Sequence, residues 1–244
     1  MPRLGATLRI LSANLLNGGA DAGAFAELAS RAGADVVAVQ ELGHEQAEAL
    51  SAVYPHGRLE PGTDYQGGGI ALLRPGEVAR LPLRGRDGFR AELAPGAWPQ
   101  LTAALEIVNV HVFAPHAHGG LGLLRRRPQL ADLERHLRAS PGQPRVVVGD
   151  FNATPSWPLY WRMRRMMEDA AVRVARRSGE RPRRTWGPRH GSPRLLRIDH
   201  GFVAGVEAEA FRVLEIPGSD HSAIVLDVAV GGESQLAVGE GRFR

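Results

Sequence analysis

The chain has no cysteine among its 244 residues. Disulfides, thiolate zinc sites and cysteine nucleophiles are therefore excluded together, although the absence does not identify a compartment. Lysine is missing too, so all 30 formal cations are arginines. A GC-rich coding sequence accounts for such a bias, but arginine also keeps its proton in any protein site and forks well onto phosphate. No stretch approaches the roughly 18 consecutive apolar residues of a membrane-spanning helix. Met1–Gly5 opens without the long apolar core of a secretory signal, which makes the cytoplasm the default expectation. A P-loop is absent: Gly67, Gly68 and Gly69 lead into an apolar run with no lysine behind them. No G-x-S-x-G elbow supports a serine hydrolase.

What is present is an ordinary soluble globular composition, 43% hydrophobic and 23% charged. That length favours one large core over two small ones. We expect a single monomeric domain over residues 1–230, followed by a polar, glycine-rich flexible tail over 231–244. The formal net charge is only +4, but it is unevenly spread. Between Arg162 and Arg197, 12 arginines face Glu168, Asp169 and Glu180, an excess of +9 that leaves −5 for the rest of the chain. Such a patch suits a polyanionic partner, and a solvated arginine-rich loop explains it equally well.

Short apolar runs alternate with helical patterns. Leu8–Ser12, Val36–Gln40, Gly69–Leu73, Leu105–Val112, Val146–Gly149, Ile198–Val203 and Ala223–Val230 read as strands. Phe25–Ala32, with Asp21 as a cap, and His44–Val53 read as helices. Leu124, Leu130, Leu133 and Leu137 have helical spacing, with Pro128 marking a helix start near Arg127. Trp157–Met167 reads as a further helix, with Trp157 and Trp161, four apart, on its core side.

Polar residues fall at the ends of these strands. Asn14 follows the first, Glu41 the second, and His111 closes the Leu105–Val112 run. Asp150 and Asn152 follow Val146–Gly149, Asp199 sits beside Ile198, and Asp220-His221 precede the last strand. Any one of these has a plain structural alternative as a turn or cap residue. Six segments doing the same thing point to one rim where side chains converge. Oxygen donors dominate the set, which suits Mg²⁺ or Mn²⁺ better than zinc. A zinc reading through His111, His116 and His118 is disfavoured, because the oxygen donors lie elsewhere.

Taken in order, Ser12-Ala13-Asn14, Val39-Gln40-Glu41, Gly69–Leu72, Asn109-Val110-His111, Gly149-Asp150-Phe151-Asn152, Thr185-Trp186, Arg197–His200 and Ser219–Ser222 resemble the endonuclease/exonuclease/phosphatase superfamily. The resemblance implies an α/β (α+β), DNase I-like fold: a four-layer α/β/β/α sandwich of two packed mixed sheets flanked by helices. It implies Mg²⁺- or Mn²⁺-dependent hydrolysis of a phosphate ester by in-line attack of water. Glu41 would be the main metal ligand, assisted by Asn14 and Asp220. Asp150 and Asn152 would position water and phosphate. His221, held by Asp199, would act as base or phosphate-stabilising group, and His111 would contact the scissile phosphate. In DNase I-like nucleases an acid just before the strand equivalent to Gly69–Leu73 partners the central histidine; here the stretch is Tyr65-Gln66-Gly67-Gly68, with Asp64 the nearest acid.

Nucleic acid is the expected partner, with Arg183, Arg184 and Trp186 as substrate-binding residues beside the arginine-rich segment. A phosphatase, or a phosphodiesterase of phospholipid or inositol phosphate, is the alternative; a non-catalytic binding module would predict a damaged constellation.

Overall fold

The computed structural model describes residues 7–63, 65–116 and 121–230. The expectations resting on Met1–Gly5, Asp64, His118 and the 231–244 tail lie outside the described residues.

Two six-stranded mixed sheets are packed face to face. In chain order the first holds β1 (Leu8–Asn14), β2 (Val36–Gln40), β3 (His56–Glu60), β4 (Gly68–Leu72), β11 (Glu207–Glu215) and β12 (Ser222–Ala229). The second holds β5 (Glu77–Leu81), β6 (Gly88–Leu93), β7 (Leu105–His111), β8 (Arg145–Asp150), β9 (Glu168–Asp169) and β10 (Asp199–Ala204). Their spatial orders are β11-β12-β1-β2-β4-β3 and β5-β6-β7-β8-β10-β9. The parallel pairs β1–β2 and β7–β8 occupy equivalent inner places in the two sheets. Each parallel pair is joined through a helix: α1 (Ala22–Ala32) and α3 (Gly122–Ala139). The remaining helices are α2 (His44–Val53), α4 (Pro158–Arg164) and α5 (Ala170–Ser178).

Strand alternation assigns the layers. Ile10, Val36, Ala38, Ile107, Val146 and Val148 pack between the sheets. Leu11, Val37 and Val39 face outward onto Phe25 and Leu50 of the first helical pair. Val108, Val110 and Val147 face outward onto Leu130 and Leu133 of α3 and Met163 of α4. The side-chain period of two then extends the inward faces to the strand ends. Asn14, Gln40, His111, Asp150 and Asp199 share parity with the inter-sheet residues of their strands, so they gather at one end of the sandwich. Beneath them a polar bridge ties the sheets together. Gln40 donates to Asn109 Oδ1 at 2.6 Å, and Asn109 Nδ2 donates to the carbonyls of Val39 and Gly69, both at 2.9 Å.

Most boundaries agree with the sequence reading. Asp21 caps α1, its carboxylate accepting from Ala24 N at 2.8 Å. Two expectations are corrected. The helix does not begin at Arg127; α3 starts at Gly122 and runs through Pro128. Arg126 and Gln129, buried on either side of the proline, bind backbone of the neighbouring loops and hold the helix across it. Tertiary anchoring thus overrides a local cost of about 3 kcal/mol. Trp161 is not core: it is exposed, while Tyr160 turns inward.

Candidate active site

Glu41 and Asn152 both have left-handed backbone, at φ 53° and 48°. Non-glycine residues held there carry strain, and strain of this kind clusters at functional sites. Each turns the chain just past an inner strand so that its side chain reaches the rim. Gly149, at φ 139°, could not be another residue: a Cβ there would lie 1.9 Å from the Val110 carbonyl oxygen. That close approach brings β8 against β7 and sets Asp150 beside His111.

Asp150 is the hub. Its Oδ1 accepts from Asn152 N at 2.8 Å, and its Oδ2 accepts from Asn152 Nδ2 at 3.0 Å and Asn14 Nδ2 at 3.1 Å. Asn14 Nδ2 also donates to Glu41 Oε1 at 3.0 Å. His111 Nε2 stands 3.6 Å from both Glu41 Oε1 and Asp150 Oδ2. His221 Nδ1 faces both oxygens of Asp199 at 3.0 and 3.1 Å, which orients Nε2 to within 3.8 Å of Asp150 Oδ2 and 3.9 Å of Asp220 Oδ1. Asp220 Oδ2 accepts from Trp186 Nε1 at 3.0 Å. The structure therefore brings together Asn14, Glu41, His111, Asp150, Asn152, Asp199, Asp220, His221 and Trp186. Arg183 and Arg184 are exposed and do not line the cavity.

The cavity above these groups has a volume of about 650 Å³. Its floor is polar and its walls are mostly apolar, with Leu16, Pro115, Trp157, Leu196 and Ile198 among them.

Burial and charge divide the titrating groups. Burial raises the Glu41 carboxyl above its ordinary range, against the Asn14 hydrogen bond, His221 and Arg86. Burial pushes Asp150 up to about 7; His221 opposes the rise, and Asp199 and Glu41 add to it. Burial disfavours the charge on His221, but Asp199 and Asp150 outweigh it and lift the pKa to about 9. Burial, Arg86 and His221 hold His111 well below its usual value, against an opposing pull from the Tyr65 backbone. Among the described residues, His111 Nδ1 is buried without a side-chain hydrogen-bond partner.

The donor set has the oxygen-rich chemistry of a hard divalent cation site. Asp150, Asp199 and His221 each offer a ligand atom within 4.8 Å of the others and could hold one. Asp199, however, directs both oxygens at His221 Nδ1. Among the described residues, Glu41 Oε2 and Asp220 Oδ1 are each buried without a hydrogen-bond partner and so remain free to ligate. A buried carboxylate oxygen left without a partner is costly, and a cation relieves that cost, so the residues fit the group. Asn14 presents its amide nitrogen, not its oxygen, to the carboxylates, so it holds them in place.

Sequence reasoning missed the groups that hold the loops. Arg194 donates to Ser222 Oγ at 2.8 Å and to the carbonyls of Asp220, His221 and Ser219 at 2.5, 2.9 and 3.2 Å. Arg126, on α3, donates to the carbonyls of Phe151 and Asn152 at 3.3 and 3.2 Å and lies over the Trp157 ring. Gln129, three residues on, accepts from Phe113 N at 3.2 Å and donates to the His111 carbonyl at 2.9 Å and the Arg86 carbonyl at 3.1 Å. Arg86 itself lines the cavity and lies 4.8 Å over the Phe113 ring. The targets are mostly backbone carbonyls, which leave no residue-type signature. The one available signal was Arg126-x-x-Gln129 on the face of α3 that also carries Leu130 and Leu133.

The arginine-rich segment is correspondingly less free than its composition implies. Arg162 pairs with Glu134 at 2.7 Å and Arg197 with Asp169 at 2.7 Å; Arg173 pairs with Glu168 and Glu207, and Arg177 with Glu207.

Two packed sheets with an acid- and histidine-lined floor at one end define a phosphoesterase fold. The family model described as "Endonuclease/Exonuclease/phosphatase family" matches residues 11–221, and the chain belongs to that family. No curated protein sequence matches it. Among solved structures, humanized D. rerio TDP2 carrying 14 mutations aligns with TM-score 0.72 and 18% identity over 93% of this chain and 100% of that one. The human Nocturnin catalytic domain with bound sulfate aligns with TM-score 0.68 and 18% identity, over 93% and 96%. The 3′ phosphatase NExo from Neisseria, bound to a product DNA hairpin, aligns with TM-score 0.67 and 19% identity, over 90% and 98%.

Proposed function

We propose that the protein is a divalent-cation-dependent phosphodiesterase that hydrolyses its substrate by direct in-line attack of water. The observation that carries this is the convergence of Glu41, Asp150 and His221, with Asp150 Oδ2 linking the Asn14–Glu41 side to the His221–Asp199 side. Glu41 and Asp220 would hold Mg²⁺ or Mn²⁺, which supplies neutralisation of the charge developing on phosphate and leaving oxygen. Asp150, raised to about 7, is poised near neutrality to take the proton of the attacking water. Asn152 and Asn14 fix that carboxylate. His221 carries its proton at neutral pH and donates Nε2–H to a phosphate oxygen, its ring held by Asp199. His111, kept neutral, donates a hydrogen bond to the phosphate. No covalent enzyme intermediate is required.

The test is hydrolysis of bis-p-nitrophenyl phosphate with Mg²⁺, Mn²⁺ or EDTA. Turnover should be lost in EDTA. Glu41→Gln and His221→Ala should each lower kcat by about 10²- to 10⁴-fold with folding intact. Activity near wild type in either variant overturns the assignment.

Two substrate classes share this chemistry. DNA in the NExo complex supports a nucleic acid, as does Trp186 at the cavity. Alanine at Arg183 and Arg184 should then weaken DNA binding and flatten its salt dependence. The apolar cavity walls, with Arg183 and Arg184 outside them, support a phospholipid or inositol-phosphate ester instead.

A further inference from the structure

The large hydrophobic side chains left exposed among the described residues are not scattered. They are Tyr65, Leu73, Leu121, Leu123, Leu124, Trp161, Leu195 and Leu196. Leu73 lies just beyond β4 at the end of the sandwich away from the site, because β4 runs antiparallel to β2 and meets the site through Gly68. Of the other seven, two line the cavity and five lie within a few residues of lining positions or of their contacts. Tyr65 and Leu196 line it directly. Leu195 adjoins Leu196, and both are tied by backbone hydrogen bonds to Trp186, another lining residue. Trp161 stands one helical turn after Trp157, also a lining residue. Leu121 caps α3 and Leu123 and Leu124 open it, where Gly122 packs against Ala114 of the cavity wall so closely that a Cβ would lie 1.9 Å from the Ala114 carbonyl oxygen.

These side chains are well exposed: 51% for Leu121, 53% for Leu123, 62% for Leu124 and 56% for Trp161. Scattered exposed leucines need no explanation, but a set gathered around the mouth of a site marks an interaction surface. Charge narrows the partner. Residues 112–116, 121–128 and 181–197, which flank the mouth, contain no aspartate or glutamate and nine arginines. Arg125, Arg127, Arg183 and Arg184 among these are exposed. The surface is therefore apolar and cationic together, which complements an anionic partner that also accepts aliphatic side chains. Base-stacking platforms are built from aromatic rings, whereas five of the seven residues here are leucines. Leucines flanked by arginines, with a tyrosine and a tryptophan at the border, match the boundary between headgroups and acyl chains.

We propose that the cavity rim docks on an anionic phospholipid bilayer and presents the phosphoester of a lipid headgroup to the Glu41–Asp150–His221 floor. This rests on the phosphodiesterase reading above and selects lipid over nucleic acid as the substrate class. Leu121–Leu124 and Leu195 enter the interface, and the exposed arginines hold the anionic headgroups. The polar floor then faces the membrane surface.

Binding is read without catalysis, in EDTA, by co-sedimentation with vesicles of phosphatidylcholine alone or with 30 mol% phosphatidylglycerol. The full-length protein should partition onto the anionic vesicles at least tenfold more strongly than onto neutral ones. The double variant Leu123→Ser/Leu124→Ser should lose at least tenfold of that partitioning. Its hydrolysis of bis-p-nitrophenyl phosphate should remain at the wild-type level, since neither leucine lines the cavity. A second variant, Arg125→Ser/Arg127→Ser, should lower the anionic preference and its sensitivity to salt. No association with anionic vesicles, or association unchanged by the leucine substitutions, overturns the proposal. Tight binding of single-stranded DNA that vesicles do not displace assigns the rim to nucleic acid and also overturns it. Loss of diester hydrolysis in the wild type would strike the phosphodiesterase reading alone, because the vesicle assay involves no turnover.

Discussion

Arg194 shows how one side chain outside the chemistry can decide it. Its guanidinium spans the Ser219–Ser222 turn and satisfies three carbonyls and a hydroxyl, so Asp220 and His221 keep their aim. A lysine there is a point charge on a flexible stem and cannot reach four acceptors in one plane. Arg194→Lys and Arg194→Ala should therefore both lower kcat by about tenfold or more, at little cost in KM. Steady-state kinetics on bis-p-nitrophenyl phosphate checks this; full rescue by lysine would show that only the charge matters. His200 gives a second prediction at this scale. It is fully buried between Phe151, Tyr160 and Phe202, hydrogen-bonded through Nε2 to the Ala153 carbonyl at 2.8 Å. Burial and Arg197 lower its pKa to about 4, against Asp169. The unfolded state therefore takes up a proton near pH 6.5 while the folded state does not. This group's contribution is intact above pH 6.5 and falls between about 6.5 and 4, by about 3 kcal/mol in all. Chemical denaturation at pH 7.5 and 5 should show His200→Phe losing less stability than wild type over that interval; equal losses would contradict the account.

Among the elements, α3 carries the most consequence for the site. It runs from the exposed leucines at the mouth, past Arg126 and Gln129 clamping three loops, to Leu130, Leu133 and Leu137 in the outer core. Pro128 sits inside it and removes a donor that the Leu124 carbonyl would otherwise accept. Pro128→Ala restores that bond while loosening the unfolded chain, so the net gain should be about 1–2 kcal/mol. A Tm higher by several degrees is expected in calorimetry; an unchanged or lower Tm would mean that the clamps at Arg126 and Gln129 need the proline between them. The same helix shows where sequence reading stops. Inner strands such as Val36–Gln40 were legible because they are buried on both faces and read as continuous apolar runs. The edge and outer strands β3, β5 and β11 were not, since His56–Glu60, Glu77–Leu81 and Glu207–Glu215 mix charged and half-buried residues without a clean alternation. α5 was absorbed into an arginine-rich stretch; its Asp169 cap, its buried Ala170, Ala171 and Ala175 and its pairing with Glu207 reveal it as structure.

For the whole molecule, the sandwich works by parity. Inward-facing residues build the apolar layer along most of each strand, and the next inward positions at one end are Asn14, Gln40, His111, Asp150 and Asp199. The candidate site was legible because those residues end recognisable strands. The arginines that aim them were not, because they reach across the fold to backbone. Cation binding belongs to this scale as well. Burial pushes Asp150, linked to Glu41 through Asn14, up to about 7, and a cation beside it favours the deprotonated form, so loading the site near neutral pH should release protons. Affinity for Mg²⁺ should therefore weaken as the pH falls from 8 to 6, and calorimetry in buffers of different ionisation enthalpy should detect the released protons. An affinity flat over that range would place the cation away from these carboxylates.

The most direct measurement is an anomalous difference map from crystals grown with Mn²⁺. A peak is expected within about 2.1 Å of a Glu41 carboxylate oxygen, with Asp220 turned toward it and the Asp199–His221 contact intact. A peak lodged among Asp150, Asp199 and His221 with Glu41 bare, or no peak in this cavity at saturating Mn²⁺, would contradict this expectation.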